Sequence, residues 1–380
     1  SGPAGAVITN PALYNTTVTG LVPGSYLFRW TISFANCTST TDDVIINIYD
    51  NPTPANAGPD QTICSTTVTM AANAPSIGTG TWTKVAGGTA TITTPGSPTT
   101  TITGLAPGTY TFRWTISNNS CPSSSDDVQV VVDPVPTVAN AGVDQSLCAA
   151  TTLNLTANTP TTGTGVWSQF SGPAGAVITN PSAASTTVTG VGTGTYVFRW
   201  TISNGVCPPS SDDVQIIIYA AVTSDAGPDQ TKCGTSVTMA ATAPTIGTGL
   251  WTKIAGGTAT INTPSSPTTT ITGLSAGTYT FRWTVINGAC SASDDVVITI
   301  VSGPTASNAG PDQSLCLATS VTLAGNIPAL GTGVWSKISG PAGAVITNPA
   351  LYNTTVTGLV PGSYLFRWTI SFANCTSTTD

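Results

Sequence analysis

Two residue types in this 380-residue chain have spacings that suggest chemistry: nine cysteines, and sixteen acidic side chains, all of them aspartate. Histidine and glutamate are absent. Without them no nucleophile–base pair can be assembled to move protons at neutral pH, so an enzyme is not expected. The cysteines fall into two series. Cys64, Cys148, Cys233 and Cys316 each close an Ala-Gly-x-Asp-Gln-x-x-Cys segment, and Cys37, Cys121, Cys207, Cys290 and Cys375 recur further along each repeat. No Cys-x-x-Cys exists to hold zinc. Regular spacing in a lysine-poor, turn-rich chain reads instead as disulfides formed in an oxidising, extracytoplasmic setting.

The aspartates also repeat. Asp42-Asp43, Asp126-Asp127, Asp212-Asp213 and Asp294-Asp295 are paired, while Asp60, Asp144, Asp229 and Asp312 lie in the Ala-Gly-x-Asp segments. A cluster such as Asp60, Asp126 and Asp127 could hold Ca²⁺ with backbone carbonyls. No Asp-x-Asp-x-Asp loop is present, and the simpler reading is that these side chains cap turns and protect strand edges.

The elements that position these groups are strands. Charged residues make up only 7% of the chain and hydrophobic ones 40%, the balance being rich in Thr, Ser, Gly, Asn and Pro. No window carries a 3.6-residue period, so the fold is read as all-β. Gly108-Thr-Tyr-Thr-Phe-Arg-Trp-Thr-Ile116 recurs near residues 24, 194, 277 and 362. Its alternation puts Tyr110, Phe112, Trp114 and Ile116 on one face. The Ala-Gly-x-Asp segments are spaced by 84, 85 and 83 residues, about one immunoglobulin-sized sandwich per repeat. In residues 54–133 seven strands are expected: A at 57–63, B at 66–72, C carrying Trp82, D at 90–93, E at 99–103, F at 108–116 and G at 127–132. Leu105-Ala-Pro-Gly-Thr-Tyr110 has the form of a tyrosine corner, and Trp82 and Trp114 are read as core. The strand-F arginines (Arg29, Arg113, Arg199, Arg282 and Arg367) point outward, where their stems cover a Thr-rich face and their heads can meet an Asp.

Domains are accordingly expected at 54–133, 137–218, 222–301 and 305–380, the last lacking its final strand, with 1–50 as the C-terminal part of another. Two subtypes alternate, and residues 1–42 are identical to 339–380, an offset of four domains. The chain therefore reads as a window on a longer array. Cysteine pairing stays open between two schemes. Within domains, Cys64–Cys121, Cys148–Cys207, Cys233–Cys290 and Cys316–Cys375 would join. But the A–B turn and F–G loop lie at opposite ends of a sandwich, and a disulfide needs Cα atoms within about 7 Å. Pairing between neighbours would give Cys64–Cys207, Cys148–Cys290 and Cys233–Cys375.

Ala-Gly-Pro-Asp-Gln, a Val68-Thr-Met strand, Leu-x-x-Gly-x-Tyr-x-Phe-x-Trp and Asp-Asp-Val together resemble the polycystic-kidney-disease-type (PKD-like) immunoglobulin-like domain. The cysteine-bearing version is similar to tandem modules of giant surface adhesins of gliding Bacteroidetes, exported by type IX secretion. That resemblance implies an extracellular, cell-surface location and a stalk or filament without catalytic residues. The partners it implies are neighbouring copies of the repeat, other chains of a filament, or surface glycans. A multivalent array of weak glycan-binding modules is the alternative, and an exposed aromatic ladder would favour it. The formal net charge of −7 and the lack of any basic stripe argue against nucleic acid, and no apolar run is long enough to insert in a membrane.

Overall fold

The computed structural model describes all 380 residues, and every regular element in it is a β-strand. In the 54–133 domain the strands are A (Gln61–Ile63), B (Thr67–Thr69), C (Thr79–Ala86), D (Thr91–Ile92), E (Thr101–Thr103), F (Gly108–Ser117) and G (Ser124–Val132). They form two sheets, ordered A-G-F-C and B-E-D. Strand A runs parallel to G, and all other neighbours are antiparallel. The 137–218 and 222–301 domains repeat this order strand for strand.

Period-two alternation produces the core. Tyr110, Phe112, Trp114 and Ile116 are all buried, and Val128, Val130 and Val132 of strand G join them. Trp82 lies directly across from Trp114 in the F–C ladder, with ring centroids 5.2 Å apart. The tight indole pair depends on Gly80, because a Cβ there would collide with the six-membered ring of Trp114. The tyrosine corner closes as the motif implies. The Tyr110 hydroxyl donates to Ala106 O at 3.1 Å and accepts from Ala106 N at 2.9 Å.

Two strands are shorter than the sequence pattern. Strand A begins at Gln61 because Gly58, at φ 86°, breaks the ladder, and side chains take over the bonding of residues 57–60. Strand B ends at Thr69, although Met70 N and Ala72 N still donate to Thr100 O and Pro98 O.

The end units are partial. Residues 1–50 contribute strands D to G only, so Trp30 is 38% exposed where Trp114 is fully buried. In 305–380 strand F (Leu365–Ser371) pairs with C (Thr332–Ser339) and with a short Thr378–Thr379 strand.

Candidate functional site

The A–B turn of each domain meets the F–G loop of the next, and this junction brings the repeating polar residues together. Of the two pairings open from sequence, the structure has the one between neighbours: Cys64–Cys207, Cys148–Cys290 and Cys233–Cys375. Their Cα atoms are 4.9, 4.8 and 5.3 Å apart. The within-domain scheme fails for a geometric reason. Strand A ends at one pole of the sandwich, and the F–G loop sits at the other. Cys121 and Cys316 therefore do not find Cys64 and Cys375, and they remain thiols, as does Cys37.

Each loop is shaped to seat the linker before it. Cys207 N donates to Asn204 O, closing a tight turn, and Gly205 sits at φ 53°. A Cβ on Gly205 would run into the Asp133 carboxylate, which accepts from Val206 N at 3.0 Å. The Asn204 side chain donates to Pro134 O at 2.7 Å, and Asn118 and Asn287 do the same to Asp50 O and Ala220 O. In the next junction the Tyr219 ring covers Gly288, leaving no room for a side chain there. Sequence reading missed these asparagines, whose signal was the Asn-x-x-Cys spacing in three of the five loops.

The paired aspartates divide their work. In the three complete domains the first of each pair reaches the segment that leads into strand A: Asp126 Oδ2 accepts from Ala57 N at 2.8 Å, and Asp212 and Asp294 accept from Ala141 N and Ala226 N. Asp60, just before strand A, answers by accepting from Gln129 N at 2.7 Å, as do Asp144 from Gln215 N and Asp229 from Val297 N. The second of each pair faces the strand-F arginine. Arg113 binds Asp127 through two hydrogen bonds of 2.7 and 2.8 Å, and Arg29, Arg199 and Arg282 repeat the pair with Asp43, Asp213 and Asp295. The guanidinium hydrogen bond holds Asp127, Asp213 and Asp295 below the usual carboxylate range, against a smaller opposing effect of burial. Asp60, Asp126 and Asp127, the residues weighed as a Ca²⁺ cluster against turn capping and edge protection, do not point at one another. Each carboxylate is turned to its own backbone or arginine partner, and no three acidic or thiol groups gather around a common point.

Trp82, Trp167, Trp251 and Trp335 are all core residues, 1–3% exposed. Tyr14 is 84% exposed, but its counterpart Tyr352 packs against the core of its domain. No aromatic ladder runs along the chain. What the arrangement can do is mechanical: it fixes one domain to the next by a covalent bond and a seated linker.

Comparison with known proteins identifies the repeating domain. The family model for the PKD domain of the KIAA0319-like type matches residues 57–132, 141–218, 226–300 and 309–380. The mouse dyslexia-associated protein KIAA0319-like protein is 29% identical over 218 residues, covering 52% of this chain and 21% of its own length. The human dyslexia-associated protein KIAA0319 is 30% identical over 213 residues, covering 49% of this chain and 19% of its own. The matched region thus spans about a fifth of each of these relatives. Among solved structures, an I-band fragment of titin covers 67% of this chain at 13% identity and a TM-score of 0.36, over its whole length. The PKD domain from KIAA 1837 protein covers 22% of this chain and 85% of its own, at 28% identity and a TM-score of 0.20.

Proposed function

This chain belongs to the KIAA0319-like PKD domain family, and from that premise we propose that it is a stretch of stalk in a long, repetitive, extracellular surface protein. Its task is to hold a distant binding region away from the cell or to build a surface fibre from copies of itself. The observation that supports this most is the disulfide at each junction between complete domains, with a linker seated under the F–G loop. A string of independent binding modules has no need of either. The motifs suggested a gliding bacterium as the source, but the relatives found are mouse and human proteins and lend that setting no support. The stalk reading does not depend on it. Burial of the strand-C tryptophans removes the aromatic platform that a glycan-binding array would use.

Electron microscopy of the purified, oxidised chain tests the proposal. Three complete domains between two partial ones, each about 40 Å long, should appear as a straight rod of about 16–20 nm. Particles bent at random between domains would count against a stalk.

A further inference from the structure

The disulfides are placed so that the shortest covalent route along the chain bypasses most of every domain. From Cys207 the backbone follows strand G (Ser210–Tyr219), crosses the linker and descends strand A of the next domain to Cys233, 26 residues in all. The stretches Cys121–Cys148 and Cys290–Cys316 make the same passage in 27 and 26 residues. Each stretch that ends in a disulfide passes the line to the following domain. One line therefore runs from Cys37 to Cys64, through the disulfide to Cys207, on to Cys233, and through the disulfide to Cys375. A second runs from Cys121 to Cys148, through the disulfide to Cys290, and on to Cys316. The two are offset by one domain. In the 137–218 and 222–301 domains they lie side by side, because strand A of one line is the parallel partner of strand G of the other. Strands B to F, between Cys148 and Cys207 and between Cys233 and Cys290, hang from the lines without being part of them.

We propose that these two lines form a two-ply tension cable, in which covalent bonds in already extended strands carry axial load and the sandwiches need not unfold. The register leaves little slack. Ala141 is tied to Asp212, Gln145 pairs with Ile216 and Cys148 with Tyr219, so the seven steps from 141 to 148 advance beside the seven from 212 to 219. Ala226 to Cys233 advances in the same way beside Asp294 to Val301. Of the 26 steps from Cys207 to Cys233, the 16 within 210–219 and 226–233 already cover about 53 Å at strand rise. The whole stretch cannot exceed about 94 Å. Pulling thus adds at most about 40 Å over two domains, whereas one unstapled domain would release about 260 Å. The A–G hydrogen bonds couple the plies, and the reciprocal bonds of Asp126-type and Asp60-type residues extend that coupling beyond the ladder.

Stretching the full chain by its termini in an optical trap reads this directly, since the limiting length depends only on connectivity. The oxidised chain should stop lengthening at about 35 nm, set by residues 1–64, 207–233 and 375–380. Full reduction should raise the limit to about 135 nm. Cys207→Ser cuts one ply and leaves the route through Cys148–Cys290 and back to Cys233, with a limit of about 75 nm. An oxidised chain that extends beyond 100 nm overturns the cable, as does a Cys207→Ser chain still limited to 35 nm. Neither result depends on the surface-stalk reading, which the rod shape tests separately.

Discussion

Cys64, at the end of strand A in one domain, lies 4.9 Å, Cα to Cα, from Cys207 in the F–G loop of the next, across 143 residues of sequence. A closure of that size removes much of the freedom of the unfolded chain, and such crosslinks typically contribute about 2–5 kcal/mol. Reduction should therefore lower the urea midpoint of the complete domains and broaden the transition as neighbours uncouple. Equilibrium unfolding with and without reductant checks this.

Gly80→Ala should be costly although it adds one methyl group. The new Cβ would strike the Trp114 ring, which is held on its other side by core residues and across the ladder by Trp82. Overpacking of this kind costs about 1–3 kcal/mol. Gly104→Ala is the comparison: nothing crowds its Cβ, so its cost is that of a backbone at φ 74° alone. Denaturant melts of the two variants should separate packing from strain.

Tyr110→Phe keeps the stacked pair with Phe112 and removes only the hydroxyl. Ala106 N then loses its acceptor and Ala106 O its donor. A loss of about 1–2 kcal/mol is expected, appearing as earlier unfolding with unchanged strand content by circular dichroism.

The Arg199–Asp213 pair makes an acid-side prediction. The Asp213 carboxyl is held below its ordinary range chiefly by its hydrogen bond to Arg199, so its stabilising contribution is complete above an unfolded pKa near about 3.9. It is lost as pH falls through the lower folded value. The melting temperatures of the native chain and Asp213→Asn should differ at pH 7 and converge towards pH 2. A difference that persists unchanged in acid would mean the pair contributes nothing through its charge.

The core was legible because strand F writes its alternation without interruption, and Tyr110, Phe112 and Trp114 could face only one way together. Strand A was less so. Residues 57–60 look like strand in sequence, but Gly58 breaks the ladder and Asp126, 69 residues away, supplies the bond to Ala57 N. No local pattern announces a partner at that distance. Cysteine pairing was half legible: the opposite poles of one sandwich already counted against Cys64–Cys121, but no pattern in the sequence shows that the next domain is seated so as to bring Cys207 to Cys64. The Asn204 amide was overlooked because its acceptor, Pro134 O, belongs to a linker that has no pattern of its own.

The most direct test of the account is a non-reducing proteolytic digest of the oxidised chain, read by mass spectrometry. It should yield crosslinked peptides containing Cys64 with Cys207, Cys148 with Cys290 and Cys233 with Cys375, while Cys37, Cys121 and Cys316 take up alkylating reagent. A crosslinked peptide containing Cys64 and Cys121 would place the disulfides inside the domains and contradict a stalk stapled at its junctions.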